Sequence, residues 1–222
     1  MKKLFAAALF AALSLAAAAQ NTWSADDFAH KYRYSEANAS VTKKPVAVLY
    51  GDSITDGWAT ADPDFFTKHN FAGRGISGEV TSQMVLRFRK DVVALRPRYV
   101  VILAGINDIA HNNGYCSIDE TIGNIMSMCE IARANGIIPV LCTTTPANRI
   151  PWRKDITAVN EKVRQLNDMI RYLAKARNIK LVEYYNNMAT EDGDFPAGWA
   201  NDGIHPTLEG YKAMEEILLK KL

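Results

Sequence analysis

Cysteine is scarce in this chain and odd in number. Cys116, Cys129 and Cys142 are the full set, so no disulfide framework can hold the fold and at least one thiol is unpaired. The spacing of 13 residues between successive cysteines matches neither a C-x-x-C redox motif nor a zinc site. Cys129 falls at helical spacing with Ile122, Ile125 and Met126, and Cys142 ends an apolar run. The reading is therefore three buried thiols acting as small hydrophobes. An excess of one charge is also missing: Lys+Arg number 26 and Asp+Glu 24. Without Lys2 and Lys3, which belong to the leader described below, the balance is 26 less two against 24. A basic footprint for nucleic acid or an anionic membrane is absent. Internal repeats, low-complexity tracts and linkers are absent after residue 20. With 222 residues, and about 100 to 200 residues per domain, residues 20–222 read as a single domain.

The long hydrophobic run that does exist lies at the start. Met1-Lys2-Lys3 precedes Leu4 to Ala19, a stretch of Leu, Phe and Ala interrupted by Ser14 and closing on Ala17-Ala18-Ala19. A charged segment, an apolar segment and a small-residue cleavage site make residues 1–19 a signal peptide. A retained membrane anchor needs around twenty apolar residues, and alanine is only weakly apolar. Gln20 rather than Cys follows the cleavage site, which disfavours a lipoprotein. The expectation is an exported protein, periplasmic or secreted, with no stable membrane span once the leader is removed.

Continuous Val- and Ile-rich runs occur at 45–50, 98–104, 137–142 and 179–184, and a short fifth strand near 69–73 is only weakly signalled. Runs that do not alternate suit strands buried on both faces. Between them lie apolar stripes at spacings of three and four: Met84, Phe88, Val92 and Leu95; Ile118, Ile122, Ile125, Cys129 and Ala132; Ile156 through Leu173; and Leu208, Tyr211, Met214 and Leu218. The second opens on the capping box Ser117-x-x-Glu120 and closes at Gly136. Strands alternating with helices predict an α/β fold with a doubly wound parallel sheet of about five strands.

In such sheets ligands sit beyond the carboxyl ends of the strands, and the residues there are chemically suggestive. GDSITDGW (51–58) follows the first run, GRGISGE (73–79) the second, GIND (105–108) the third, and DGIHP (202–206) precedes the last helix. Each alone is ordinary turn chemistry. Together they supply a nucleophile in Ser53, a base in His205, an orienting carboxylate in Asp202, and oxyanion donors in the backbone N–H groups of Ser53 and Gly78 and the Asn107 amide. Three residues separate Asp202 from His205, so one turn can bring the two side chains together. A metal-assisted alternative would use Asp52, Asp56 and His205.

These four blocks resemble the SGNH (GDSL-type) esterase and acylhydrolase superfamily, which carries Ser, Gly, Asn and His in this chain order. The resemblance runs from about residue 45 to 220. It implies a flavodoxin-like three-layer α/β/α fold and hydrolysis without metal or cofactor. The second block often has Asn five residues before its donor glycine, where this chain has Gly73.

The function expected is an exported serine esterase for short acyl groups, acetyl foremost, on a carbohydrate or another small ester. A lysophospholipase or thioesterase is the alternative, and a non-catalytic flavodoxin-like binding module the remote one. The segments 58–68 and 143–154 hold no long apolar run, which leans towards a short, open site. Trp58, Trp152 and Trp199 lie in or beside the site loops and are candidates for ligand contact. Arg149 and Arg153 are candidates for steering an anionic group. His30, His69 and His111 read as surface or loop histidines, with His111 the one nearest the pocket rim.

Overall fold

The computed structural model describes residues 27–222. The signal peptide expected at residues 1–19, with its cleavage site, falls outside those residues. Five parallel strands, β1 (Ala47–Gly51), β2 (Phe71–Gly75), β3 (Tyr99–Leu103), β4 (Ile138–Cys142) and β5 (Lys180–Val182), form one sheet in the order β2-β1-β3-β4-β5. The weakly signalled run near 69–73 is thus a strand. Ala47 lies opposite both Phe71 and Tyr99. β1 and β3 are buried along their whole length, which explains why their sequences do not alternate.

The helices follow from the crossovers. After a short N-terminal helix α1 (Ser35–Ala39), α2 (Ser53–Ala61) and α3 (Pro63–His69) connect β1 to β2. The chain then reverses direction across the sheet through α4 (Thr81–Asp91), continues after the single turn α5 (Ile106–Ile109) into α6 (Ile118–Ala134) and α7 (Val159–Ala176), and finishes with α8 (Tyr184–Met188) and α9 (Leu208–Leu219). Right-handed crossovers place α4, α6 and α7 on one face, where neighbours pack on each other, while α2 packs with α9 on the opposite face. The result is the three-layer α/β/α architecture. Because β1 lies between β2 and β3, the strand order reverses at β1, and the crevice between the carboxyl ends of β1 and β3 is the switch point where such folds bind ligands.

Ser117 caps α6 by accepting the Glu120 N–H, and the Glu120 carboxylate returns to the Ser117 N–H at 2.8 Å. Two helices are shorter than their apolar stripes suggest. α4 stops at Asp91, and Leu95 belongs to a short 3-10 turn, Val93–Leu95, closed by Arg96 in the left-handed region. α7 begins at Val159, leaving Ile156 in the preceding loop, because Ala158 takes φ +53° and breaks the helical path.

Departures also occur in the segment 58–68. It is helical rather than a loop and reaches the cleft only through Thr60 and Ala61, and Trp58 is buried between Phe65 and Tyr211, stacked on both at ring separations of 5.6 Å, with its Nε1–H donating to Glu215. Trp58 is therefore a core residue and not a ligand contact. All three cysteines are free, but only Cys129 and Cys142 are buried. Cys116 is half-buried, near Thr121. Burial pushes the Cys129 thiol up to about 12.

Candidate active site

Glycine at position 51 lets β1 run close to β3 before turning. A Cβ there would stand 2.6 Å from the Leu103 carbonyl oxygen and 2.2 Å from Thr55 Oγ1. Asp52 then caps α2 by accepting the Ile54 N–H at 3.1 Å, so Ser53 occupies the first turn of a helix at the switch point. Its Oγ lies 2.9 Å from His205 Nε2, and His205 Nδ1 lies 2.8 Å from Asp202 Oδ2. The other Asp202 oxygen accepts the backbone N–H groups of Ile204 and His205, both at 2.9 Å. One carboxylate thus folds the DGIH turn and reaches the ring. Burial alone would raise the Asp202 carboxyl, but the His205 and Ile204 hydrogen bonds outweigh it and hold it below the usual range. An ionised carboxylate accepts only. It therefore holds the proton of a neutral imidazole on Nδ1 and leaves Nε2 bare toward Ser53.

The oxyanion candidates sit on the loops after β2 and β3. The Ile76 N–H donates to the Gly51 carbonyl at 3.1 Å, which draws the β2 loop alongside the start of α2. Gly78 has φ +81°, and a Cβ there would meet only Asn112 Nδ2 at 4.0 Å. Backbone conformation, not crowding, reserves the position for glycine. Asn107 lies in α5, is 1% exposed, and donates Nδ2–H to the Glu79 carbonyl at 3.0 Å. The structure thus joins Ser53, His205 and Asp202 in one hydrogen-bonded chain and brings Gly78 and Asn107 together on the adjoining shelf.

Buried charge supports that shelf. Arg87 is fully buried. It contacts the Glu79 carboxylate at 2.6 Å and Asp91 at 3.0 Å, and donates to the carbonyls of Gly51 and Arg74 at 3.1 Å, with its guanidinium 4.3 Å from the Tyr50 ring centroid. One side chain therefore ties the end of β1, the end of β2 and the oxyanion loop together. Burial pushes the Glu79 carboxyl up to about 7, against the pull of Arg87. Asp108 accepts the Thr81 N–H at 3.0 Å and the Thr81 hydroxyl at 2.5 Å, pinning the β3 loop to the first turn of α4. None of these roles was assigned from sequence. The signal available was Arg87 and Asp91 interleaved with the apolar Met84 and Phe88 on one helix, with Glu79 in the loop just before it.

Beside Ser53 and His205 a surface cleft of about 610 Å³ is lined by Arg33, Asp56, Thr60, Ser77 and Asn201 among others. Trp152 is 41% exposed, with its ring 5.9 Å from that of His205, whereas Trp199 packs partly buried against the core. Arg153 is occupied by Asp155 at 2.7 Å and by the carbonyls of Ala110 and His111; Arg149 lies against Gly203 and 3.8 Å from Asp194. His111 packs on Tyr115, His69 stacks on Phe71, and His30 is 3.6 Å from the Glu79 carboxylate, so His30 reaches the support of the shelf rather than the surface alone. Gly73 is explained by packing: a Cβ would be 2.9 Å from that of Ala59 and 3.2 Å from Phe66, leaving no room for an asparagine. The metal alternative finds Asp52 engaged with Ile54 and Asp56 with the Ser77 hydroxyl at 2.8 Å. Among the described residues no cluster of three His, Cys, Asp or Glu side chains could hold a metal ion.

Fold and geometry together define an α/β/α ester hydrolase. The profile of the GDSL-like lipase/acylhydrolase family matches residues 49–213, and the chain belongs to that family. It is similar to the crystal structure of a GDSL-like lipase from Bacteroides thetaiotaomicron, with 43% identity and a TM-score of 0.83 over 87% of this chain and 97% of that one. The isoamyl acetate-hydrolyzing esterase of Saccharomyces cerevisiae is 25% identical, over 78% of this chain and 84% of its own. An acetylxylan esterase of Geobacillus stearothermophilus is 21% identical, over 67% and 70%. The protein is a carboxylic ester hydrolase.

Proposed function

We propose that this chain is an exported serine esterase that removes short acyl groups, acetyl foremost, from carbohydrate substrates. The observation that carries the reading is the unbroken chain Ser53–His205–Asp202 at 2.9 and 2.8 Å opening onto a surface cleft of mixed polar and apolar lining. Ser53 Oγ attacks the ester carbonyl as its proton passes to His205 Nε2. The carbonyl oxygen becomes an oxyanion facing the N–H groups of Ser53 and Gly78 and the Asn107 amide. Collapse breaks the C–O bond to the alcohol, which leaves with the proton from His205. Water, deprotonated by the same nitrogen, then releases the carboxylic acid and restores Ser53. Asp202 stays ionised and steadies the imidazolium.

The acyl preference is supported by the segments 58–68 and 143–154, neither of which holds a long apolar run to bury a long alkyl chain, whose CH₂ groups would each contribute about 0.8 kcal/mol. The polar groups Arg33, Asp56, Thr60, Ser77 and Asn201, set among Ala61, Pro206 and Tyr211, suit a hydroxyl-rich alcohol. The acetyl-ester names of the yeast and Geobacillus relatives point the same way. Export rests on the tripartite leader at residues 1–19, and exported protein is expected to begin near Gln20 by mass spectrometry.

The test is a p-nitrophenyl ester series from acetyl to palmitoyl, run beside acetylated xylan and a lysophospholipid. The expected result is kcat/KM falling steeply beyond butyryl, with acetate released from the polysaccharide. A kcat/KM that climbs to palmitoyl would replace this reading with a lipid acylhydrolase.

A further inference from the structure

Asn107 lies one hydrogen bond away from a side chain that the catalytic scheme does not use. After α5 the chain turns through His111 at φ +52°, and the Asn112 N–H returns to the Asn107 carbonyl at 3.1 Å. That turn lays the Asn112 side chain over both oxyanion candidates: its Nδ2 is 2.8 Å from Asn107 Oδ1 and 3.3 Å from the Gly78 carbonyl. Its Oδ1 accepts the indole N–H of Trp152 at 2.9 Å. The register between the two loops is fixed next door, where Arg153 donates to the carbonyls of Ala110 and His111 at 2.7 and 3.1 Å.

The two ends of this chain dictate its direction. An indole N–H can only donate, and the Glu79 carbonyl that closes the far end can only accept. Between them stand two amides, each with an acceptor oxygen on one side and donor hydrogens on the other. If either amide flipped, Trp152 N–H would face an NH₂ group or Asn107 Oδ1 would face the Glu79 oxygen. Only one polarity satisfies every bond: Trp152 to Asn112, Asn112 to Asn107, Asn107 to Glu79. In that polarity the Asn107 NH₂ group faces the shelf, with its second N–H available to an oxyanion.

We infer that Asn112 and Trp152 are positioning residues that fix the orientation of the Asn107 amide, so that an oxyanion meets a donor and not the amide oxygen. The inference rests on the oxyanion role proposed for Asn107. It also gives Trp152 a function through its nitrogen, separate from any contact its exposed ring makes with substrate.

The experiment measures kcat and KM on p-nitrophenyl acetate for Asn112→Ala, Asn112→Asp and Trp152→Phe, each alone and combined with Asn107→Ala, with melting temperatures as a check on folding. Asn112→Ala is expected to lower kcat roughly 10- to 100-fold with little change in KM, less than complete removal of the donor costs. Asn112→Asp should be slower than Asn112→Ala, because its carboxylate presents no donor to Asn107 Oδ1 and favours the flipped amide. Trp152→Phe keeps an aromatic ring beside His205 and loses the N–H, so its loss should also appear in kcat. In the Asn107→Ala background all three losses should vanish. Losses that persist undiminished in that background, or an Asn112→Asp enzyme equal to Asn112→Ala, would overturn the relay while leaving the effect of Asn107→Ala intact. Full kcat in Asn107→Ala itself would overturn the oxyanion role and the relay together.

Discussion

The two halves of the site are built in opposite ways. The His205–Asp202 turn lies at the mouth, with side chains 33% and 37% exposed, and among the described residues Asp202 bonds only within residues 202–205, to the Ile204 and His205 N–H groups and the His205 ring. The shelf carrying Gly78 and Asn107 rests on fully buried charge, with Arg87 and Glu79 both at 0% exposure. The difference matches the chemistry proposed for each. A base must exchange protons with an alcohol and with water, so it stands where both can reach it. Oxyanion donors are useful only if they are already aimed when charge develops, so they are clamped by a lattice of interactions that no solvent molecule can replace. Substitutions at the mouth should therefore remove rate and spare stability, and substitutions beneath the shelf should remove stability first.

Ser53→Ala should give the largest effect, a loss on the order of 10⁶ in kcat, with a melting temperature near that of the wild type. His205→Ala should cost a similar factor, since nucleophile and base act as one unit. Steady-state kinetics beside thermal melts decide the matter, and a Ser53→Ala enzyme keeping roughly a tenth of the rate would end the serine mechanism.

Arg87→Met should behave in the reverse manner. It leaves the Glu79 and Asp91 carboxylates buried without their cation, and breaking a buried pair in this way costs about 3 to 5 kcal/mol. For a domain of this size that is roughly 6 to 20 °C in melting temperature. A melting temperature within the error of wild type would mean that the cluster does not carry the shelf.

Asn107→Ala probes the boundary between the halves, because Asn107 is buried and carries the side-chain donor of the proposed oxyanion hole. A fall of roughly 10²- to 10³-fold in kcat, about 2.7 to 4 kcal/mol of transition-state stabilisation, is expected with KM little changed, because the neutral ester gains much less from the donor than the oxyanion does. Asn107→Asp should be slower still, since its carboxylate would face the negative oxygen. A large drop in melting temperature with near-normal kcat would make the residue purely structural.

The same division governs what could be read from sequence. Four of the five strands and the four blocks were legible because each is local: a Val- and Ile-rich run declares a strand, and GDS, GIND and DGIH each fit within a single turn; β2, FAGRG, has neither Val nor Ile and was only weakly signalled. Asp202 and His205 were readable for the same reason. The supports were not. Arg87 reaches Gly51 across 36 positions and Trp152 reaches Asn112 across 40, and no local spacing encodes such contacts. Trp58 was misplaced on similar grounds, because a tryptophan beside the nucleophile looks the same in sequence whether it faces the cleft or, as here, the α2–α9 interface. Trp152 could be listed as a candidate but its nitrogen's partner could not.

Asp52 offers the smallest and most specific test. It is buried at the hinge of the two halves, capping α2 directly before Ser53. Burial pushes its carboxyl up to about 7, partly offset by the Ile54 N–H and by His205, whereas an exposed aspartate titrates near 4. Between those values the folded chain holds a proton that the unfolded chain has released, so stability from this group falls as pH rises from about 4 to 7 and is level beyond. Asp202 has the opposite sign: its carboxyl is depressed, so the stability it contributes is present above the ordinary carboxylate value and is lost only as pH drops below about 4. The two windows do not overlap. Asn at position 52 keeps an oxygen for the Ile54 N–H and cannot ionise, so Asp52→Asn should remove one component of the decline in melting temperature between about pH 4 and 7. The measurement is melting temperature against pH for both proteins. Curves that run parallel across that range would show that Asp52 is ionised throughout and that its cap, not its proton, is what the fold uses.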